Sequence, residues 1–177
     1  MKLIILLSML FGLGAAPDGL PATVKEIRQA YADAHQRIAE TTRPGVPRSD
    51  METTFRYMVP AAGETTETIH AFYELSIDSE GEWAVHYHPY FIMRSYNISV
   101  LKFYEEYLYD ADTGKLLFVY ISGDTHEGKK NEERYYFGPD GLISEIIQGE
   151  RTVSLEEILR KAEVLRSSSR PLLDDER

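Results

Sequence analysis

The period of apolar positions along the chain changes twice, from helical to alternating and back again. Val24, Ile27, Tyr31, Ala34 and Ile38 recur at spacings of three and four, while Lys25, Arg28, Gln29, Asp33, Gln36 and Arg37 fall mostly elsewhere. That spacing predicts an amphipathic helix from Val24 to Thr41, with one stripe to lay on a sheet or a second helix. Thr23 and Glu26 stand three apart before the stripe, the spacing of a capping box. Pro44, Gly45 and Pro47 end the element. His35 borders the stripe and reads as a solvent-facing or locally bonded histidine.

From Met51 the period is two. Met51, Thr53, Phe55, Tyr57 and Val59 share one face of a predicted strand. Pro60 to Gly63 supplies a turn, and the return strand places Ile69, Ala71, Tyr73, Leu75 and Ile77 inward. Asp78 to Gly81 turns the chain again. Trp83, Val85 and Tyr87 begin another apolar face, which Pro89 is expected to interrupt before a strand resumes over 90–96. Next come two aromatic-rich arms around Asp110-Ala111-Asp112-Thr113-Gly114, a hairpin closing on a bulge with Gly114 at positive φ. On the first arm Leu101, Phe103, Glu105, Tyr107 and Tyr109 face one way, and Tyr104 and Leu108 the other. On the second, Leu116, Phe118 and Tyr120 oppose Leu117, Val119 and Ile121. Neither face is cleanly polar, so this pair is predicted at the sheet centre, with one face under a helix and the other partly covered.

Polar residues 122–131 read as a loop, and Arg134 to Phe137 as a strand turned at Gly138-Pro139-Asp140-Gly141 into Leu142 to Gln148. Ser154 and Glu157 repeat the capping-box spacing before Leu155, Ile158, Leu159, Ala162 and Leu165, a second helical stripe. The fold class is therefore α+β: an antiparallel, hairpin-rich, meander-like sheet with an N-terminal helix packed on it and a short C-terminal helix. No helix-length segment separates the strands, which excludes βαβ units. The expected organisation is a signal peptide over 1–16, one domain over 17–166 and a flexible tail over 167–177.

The signal assignment rests on Lys2, the apolar run Leu3 to Gly14 and the small residues Ala15 and Ala16 before Pro17. Leu3 to Ala16 falls short of the roughly 18 apolar residues a membrane-spanning helix needs. Export places the product in a periplasm or outside the cell, with no integral membrane segment after cleavage. The chain has no cysteine, which excludes thiol chemistry and a cysteine-linked lipid anchor, and favours a bacterial envelope over a eukaryotic secretory origin. A net charge of −10 with scattered basic residues disfavours nucleic acid as a partner.

VKEIRQAYADAHQRIAE, KFYEEYLYDADTGKLLFVY and RYYFGPDGLISEI together resemble a group of small, functionally uncharacterised exported proteins of gut-type Bacteroidetes. The resemblance covers most of the chain beyond the signal segment. It implies an envelope or secreted location and one α+β domain, and it brings no activity, cofactor or site residue.

Candidate chemistry rests on the residues alone. His86 and His88 are two apart on a strand and so project from one face, where Glu82 or His70 could complete a metal site; ordinary edge histidines are the simpler reading. Glu105 and Glu106 point to opposite faces and make a poor carboxylate pair. Glu105, set among aromatic residues, is the candidate catalytic carboxylate, or it pairs with an arginine such as Arg134. Asp110-x-Asp112-x-Gly114 is similar to the start of a calcium loop but lacks its later oxygen ligands. Ser122 to His126 holds hydrolase residue types too crowded to form a relay.

The 12 tyrosines remain, several beside acids: Tyr104 with Glu106, Tyr107 with Glu105 and Tyr135 with Glu133. Rigid amphipathic rings suit protein or sugar ligands, and they equally suit the rim of a core. The expectation is an exported, non-enzymatic binding or structural module, without a cofactor, that meets a protein or glycan through a tyrosine-rich strand surface including Tyr104 and Tyr107. The alternative is a metal-dependent or carboxylate-based hydrolase built on Glu105 with His86 and His88.

Overall fold

The computed structural model describes residues 20–78, 84–169 and 171. The expected signal segment, Glu82 and Trp83 lie outside the described residues. Helix α1 (Val24–Thr41) starts on the predicted capping box: Thr23 accepts from the Glu26 backbone amide, and Glu26 accepts from that of Thr23. Seven strands follow: β1 (Asp50–Val59), β2 (Gly63–Asp78), β3 (Ala84–Ile98), β4 (Leu101–Tyr109), β5 (Leu116–Asp124), β6 (Lys130–Gly138) and β7 (Gly141–Gln148). They form one antiparallel sheet in chain order, β1 to β7, with β4 at its centre. Helix α2 (Leu155–Ser168) closes the described chain. Ser154 caps it by accepting from the Glu157 amide, while the Glu157 side chain turns to Lys161.

The mixed faces of β4 and β5 have a direct cause, since each side of the sheet carries a helix. Ile27, Ala34 and Ile38 of α1 pack on Phe72, Phe91, Leu108 and Phe118. Ile158, Ala162 and Leu165 of α2 pack on Ile92, Tyr107, Val119 and Tyr135 across the opposite face. A strand buried on both faces needs apolar residues at every position, which removes the polar half of the alternation.

Of three register shifts in the sheet, two reset the faces expected in β3 and β5. Leu108 pairs with Phe118 and Tyr109 with Leu116, leaving Leu117 as an extra residue in β5. Leu117 therefore joins Phe118 on the α1 side, and Leu116 packs on the α2 side, exchanging the faces that strict alternation assigns them. Pro89 does not break its strand either. It pairs with Tyr73, Phe91 pairs with Phe72, and Tyr90 between them is the extra residue. β4 pairs only from Phe91 onward, so no strand there asks Pro89 for a backbone proton. Tyr90 and Phe91 consequently both serve the α1-side core.

Leu75 and Ile77, expected inward, are 52% and 60% exposed. β2 has 16 residues, about 54 Å at strand rise. α1 has 18 residues, only about 27 Å at helical rise. Beyond Tyr73, β2 has no β1 partner and β3 no β4 partner, so this end is a two-stranded ribbon outside helical cover. Leu159, expected in the α2 stripe, is also exposed. The 122–131 loop is shorter than expected, because Ser122, Gly123 and Asp124 pair with β6 and leave only 125–129 as a turn. Gly123 fits the strand because a Cβ there would meet the Phe103 ring at 2.7 Å. At the other end, the Tyr73 hydroxyl donates to the Ser169 carbonyl at 2.6 Å, and Ser169 is buried. Ser167 and Ser168, expected in the tail, belong instead to the last turn of α2.

In the central turn Gly114 sits at φ +67°, and its amide donates to the Asp110 carbonyl at 2.8 Å. A Cβ there would approach the Arg166 guanidinium at 2.8 Å. Gly114→Val is expected to destabilise the fold by about 1–2 kcal/mol, mostly through backbone strain. A urea melt reads this directly, and an unchanged midpoint would refute the strain.

Candidate functional site

Glu105 and Glu106 are adjacent in β4, face opposite helices and are both buried. On the α2 side, Glu105 Oε2 accepts from Arg94 at 3.1 Å and Tyr107 at 2.7 Å. Its Oε1 accepts from Tyr96 at 3.2 Å and from Lys161 of α2 at 3.5 Å. A carboxylate offers about four lone-pair sites, so none remains for a substrate proton. Arg94 also donates to Glu67 at 2.7 Å. Burial pulls the Arg94 pKa down, but its bonds and charges with Glu67 and Glu105 outweigh that, holding it above the ordinary arginine value. Burial likewise raises Glu67, yet the Arg94 and Tyr57 hydrogen bonds leave its carboxyl below the usual range. The charges of this cluster are paired with one another, and Glu67, Arg94 and Lys161 also line an opening of about 460 Å³ with Phe55 and Tyr57. Arg134, offered by the sequence as a partner for Glu105, lies on the other face and pairs with Glu132 at 2.7 Å.

Glu133 is the second wholly buried carboxylate on the α2 side. It accepts from Tyr135 and from the Thr152 hydroxyl and amide, the amide at 2.7 Å. These bonds fix the approach to α2. The acid–tyrosine neighbours of the sequence are thus bonded pairs: Tyr107 with Glu105, Tyr104 with Glu106, and Tyr135 with Glu133. Positions two apart on a strand share a face, which brings each pair together. Tyr107 is 0% exposed and offers no surface to a ligand. Only Tyr104 of the two proposed binding tyrosines keeps partial exposure.

Burial is the first cause raising the pKa values of Tyr31, Tyr96, Tyr104, Tyr107, Tyr109 and Tyr135, and for all but Tyr109 a carboxylate hydrogen bond adds to it. A raised folded value means stability fully present below the unfolded tyrosine pKa of about 10 and lost as pH climbs beyond it. Tyrosinate absorbance of these residues is therefore expected to appear together with loss of the far-ultraviolet dichroism signal, as one cooperative alkaline transition. Smooth titration of every tyrosine near pH 10 (about the free value) with the fold intact would contradict it.

His86 and His88 do share a face of β3, with ring centroids 6.4 Å apart. His88 Nε2 is 2.9 Å from Ser76 Oγ, and Glu74, opposite His88, pairs with Arg37. His70 lies four residues from Glu74, roughly 13 Å along the strand, and bonds Asp50 at 2.7 Å. Among the described residues, no group of three or more His, Asp or Glu side chains is placed to hold a metal ion. Asp110, the first oxygen of the calcium-like run, accepts from the Thr113 amide and hydroxyl inside its own turn. Asp124 caps the Lys102 amide at 3.1 Å.

The α1 side holds an opening that sequence reasoning missed. Ile27, Arg28 and Tyr31 of α1 and Glu106, Phe118, Tyr120, Arg134 and Tyr136 of the sheet line a cleft of about 440 Å³, within the roughly 300–1,000 Å³ of ligand pockets. Glu106 accepts from Tyr31 on one oxygen at 2.5 Å and from Tyr104 on the other at 2.6 Å. His35 Nε2 stands 3.9 Å from Glu106, buried and without a hydrogen-bond partner among the described residues. Its ring packs edge-on to Tyr31 and Phe91. Arg28 lies 5.5 Å from the Tyr136 ring centre, and Arg134 lies 5.2 Å from that of Tyr120. The helical stripe and the strand alternation each name some of these residues, but only the register of β4, β5 and β6 under α1 brings them together.

Among the described residues, no helix is long and apolar enough to cross a membrane. No family model, curated protein or solved structure matches the chain.

Proposed function

We propose that the chain is an exported, non-enzymatic binding domain whose recognition site is the cleft between α1 and strands β4 to β6. The observation that supports this reading is the cleft itself: an apolar floor, two guanidinium groups and a buried carboxylate with acceptor capacity left, converging in one ligand-sized opening. It moves the tyrosine-rich surface of the sequence from the strand exterior to the rim of this cleft, where Tyr104 acts through Glu106. Export is supported by Lys2, the apolar run after it and Ala15-Ala16. The hydrolase alternative loses its candidate carboxylate, since Glu105 has its lone pairs filled by protein donors.

The test is a glycan-array and envelope pull-down screen run with and without chelator, using the wild type and Tyr120→Ala. A partner retained in chelator and lost with Tyr120→Ala is the expected result. A hit indifferent to that substitution would move recognition away from the cleft. Metal-dependent hydrolysis lost with His86→Ala/His88→Ala would overturn the non-enzymatic reading.

A further inference from the structure

The polar groups of the cleft are arranged in a line of opposite charge. Glu106 pairs with Tyr120 across β4 and β5, and Tyr120 with Arg134 across β5 and β6. Adjacent strands lie about 4.8 Å apart, so the acidic and basic anchors stand about 10 Å apart at the backbone. Each oxygen of Glu106 accepts one tyrosine hydroxyl, which leaves about two acceptor sites on the carboxylate. The raised pKa values of Tyr31 and Tyr104 keep both hydroxyl protons in place, so these tyrosines remain donors to Glu106.

At the basic end, Arg134 is partly neutralised by Glu132. Among the described residues Arg28 is not: its one hydrogen bond there is to the Tyr136 hydroxyl at 3.4 Å, and it makes no ion pair with any of them. Between the two ends lie the rings of Phe118 and Tyr120. A ligand satisfying the whole line must donate at one end, carry an anion at the other and present a compact, partly apolar body between.

On the reading of this cleft as the binding site, we infer that its ligand is a carboxylate-bearing sugar, a hexuronic acid free or at the end of a glycan. The carboxylate meets Arg28, with Arg134 beside it, and ring hydroxyls donate to Glu106. Guanidinium–carboxylate bonds are charge-assisted and favour this end group over an amide or ester. A neutral sugar leaves Arg28 without an anion. A fatty acid leaves Glu106 facing hydrocarbon. A free α-amino acid carries both charged groups on one carbon, too close together to reach both ends of the line.

The experiment is a calorimetric and NMR titration of the full chain with galacturonate and glucuronate, their methyl esters, and galactose. The acids are expected to bind about tenfold or more tightly than the esters and galactose, with shifts at Tyr31 and Tyr120. Arg28→Ala, an exposed change whose fold is checked by circular dichroism, should erase the preference for acid over ester. Glu106→Gln should weaken acid and ester alike. Equal affinity for acid and ester, or no response of cleft residues to either uronate at about 1,000-fold the micromolar range, would overturn the inference. A neutral glycan or peptide found in the cleft would also overturn it while leaving the binding reading in place. A ligand that ignores both Tyr120→Ala and Arg28→Ala would remove that reading as well.

Discussion

Arg94→Ala is expected to lower stability by about 3–5 kcal/mol, the cost of leaving a buried charge without its partner. Glu105 is 1% exposed, and Arg94 is its well-placed cation at 3.1 Å, while Lys161 reaches it only at 3.5 Å. Glu67 loses its guanidinium in the same substitution. Urea melts measure the loss. Arg94→Leu combined with Glu105→Leu should recover much of it, because the penalty belongs to the stranded charge. A double variant as unstable as Arg94→Leu alone would assign the loss to packing. The wild type carries a matching acid response. The folded pKa of Glu67 lies below its unfolded value, so its contribution is present above about pH 4.3 and fades as pH falls through the folded value. Arg94→Ala should flatten that part of the curve.

Ile27→Ala is expected to cost about 2–5 kcal/mol, and Lys25→Ala less than about 0.5 kcal/mol. The residues are two apart on α1, where a helix turns them to different sides. Ile27 is 0% exposed in the α1-side core, and Lys25 faces solvent. Equal unfolding free energies would refute the docking face of α1.

Most of the fold is legible because its signals are local. The bounds of α1 follow from a cap and a stripe within one stretch of chain, and the meander follows from turn residues such as Gly63, Gly114 and Gly141, all at positive φ. The bulges beside Tyr73 and Tyr109 are not local signals. One extra residue reverses every face assignment beyond it, so the placements of Leu116, Leu117 and Tyr90 depend on the partner strand. Burial of the acid–tyrosine pairs was equally out of reach. Their spacing shows that they share a face, but Tyr107 is enclosed only because α2 covers the side that α1 leaves open. The cleft needs still more: Arg28 and Tyr136 are 108 positions apart, and nothing near either one names the other.

The nearest-neighbour order of the strands also sets a sequence of events. Each sheet pairing joins consecutive segments, a pattern that hairpins can nucleate on a scale of about 1–10 μs. Helix docking instead closes long stretches of chain, with Tyr73 reaching Ser169 across 96 positions. Closing such a loop costs about 1.5–2 kcal/mol more than closing one of roughly 15 residues. Sheet therefore precedes helix cover, and for that interval both aromatic faces, Phe91 and Phe118 on one and Tyr107 and Tyr135 on the other, meet water. This half-covered sheet is the species most prone to self-association during refolding.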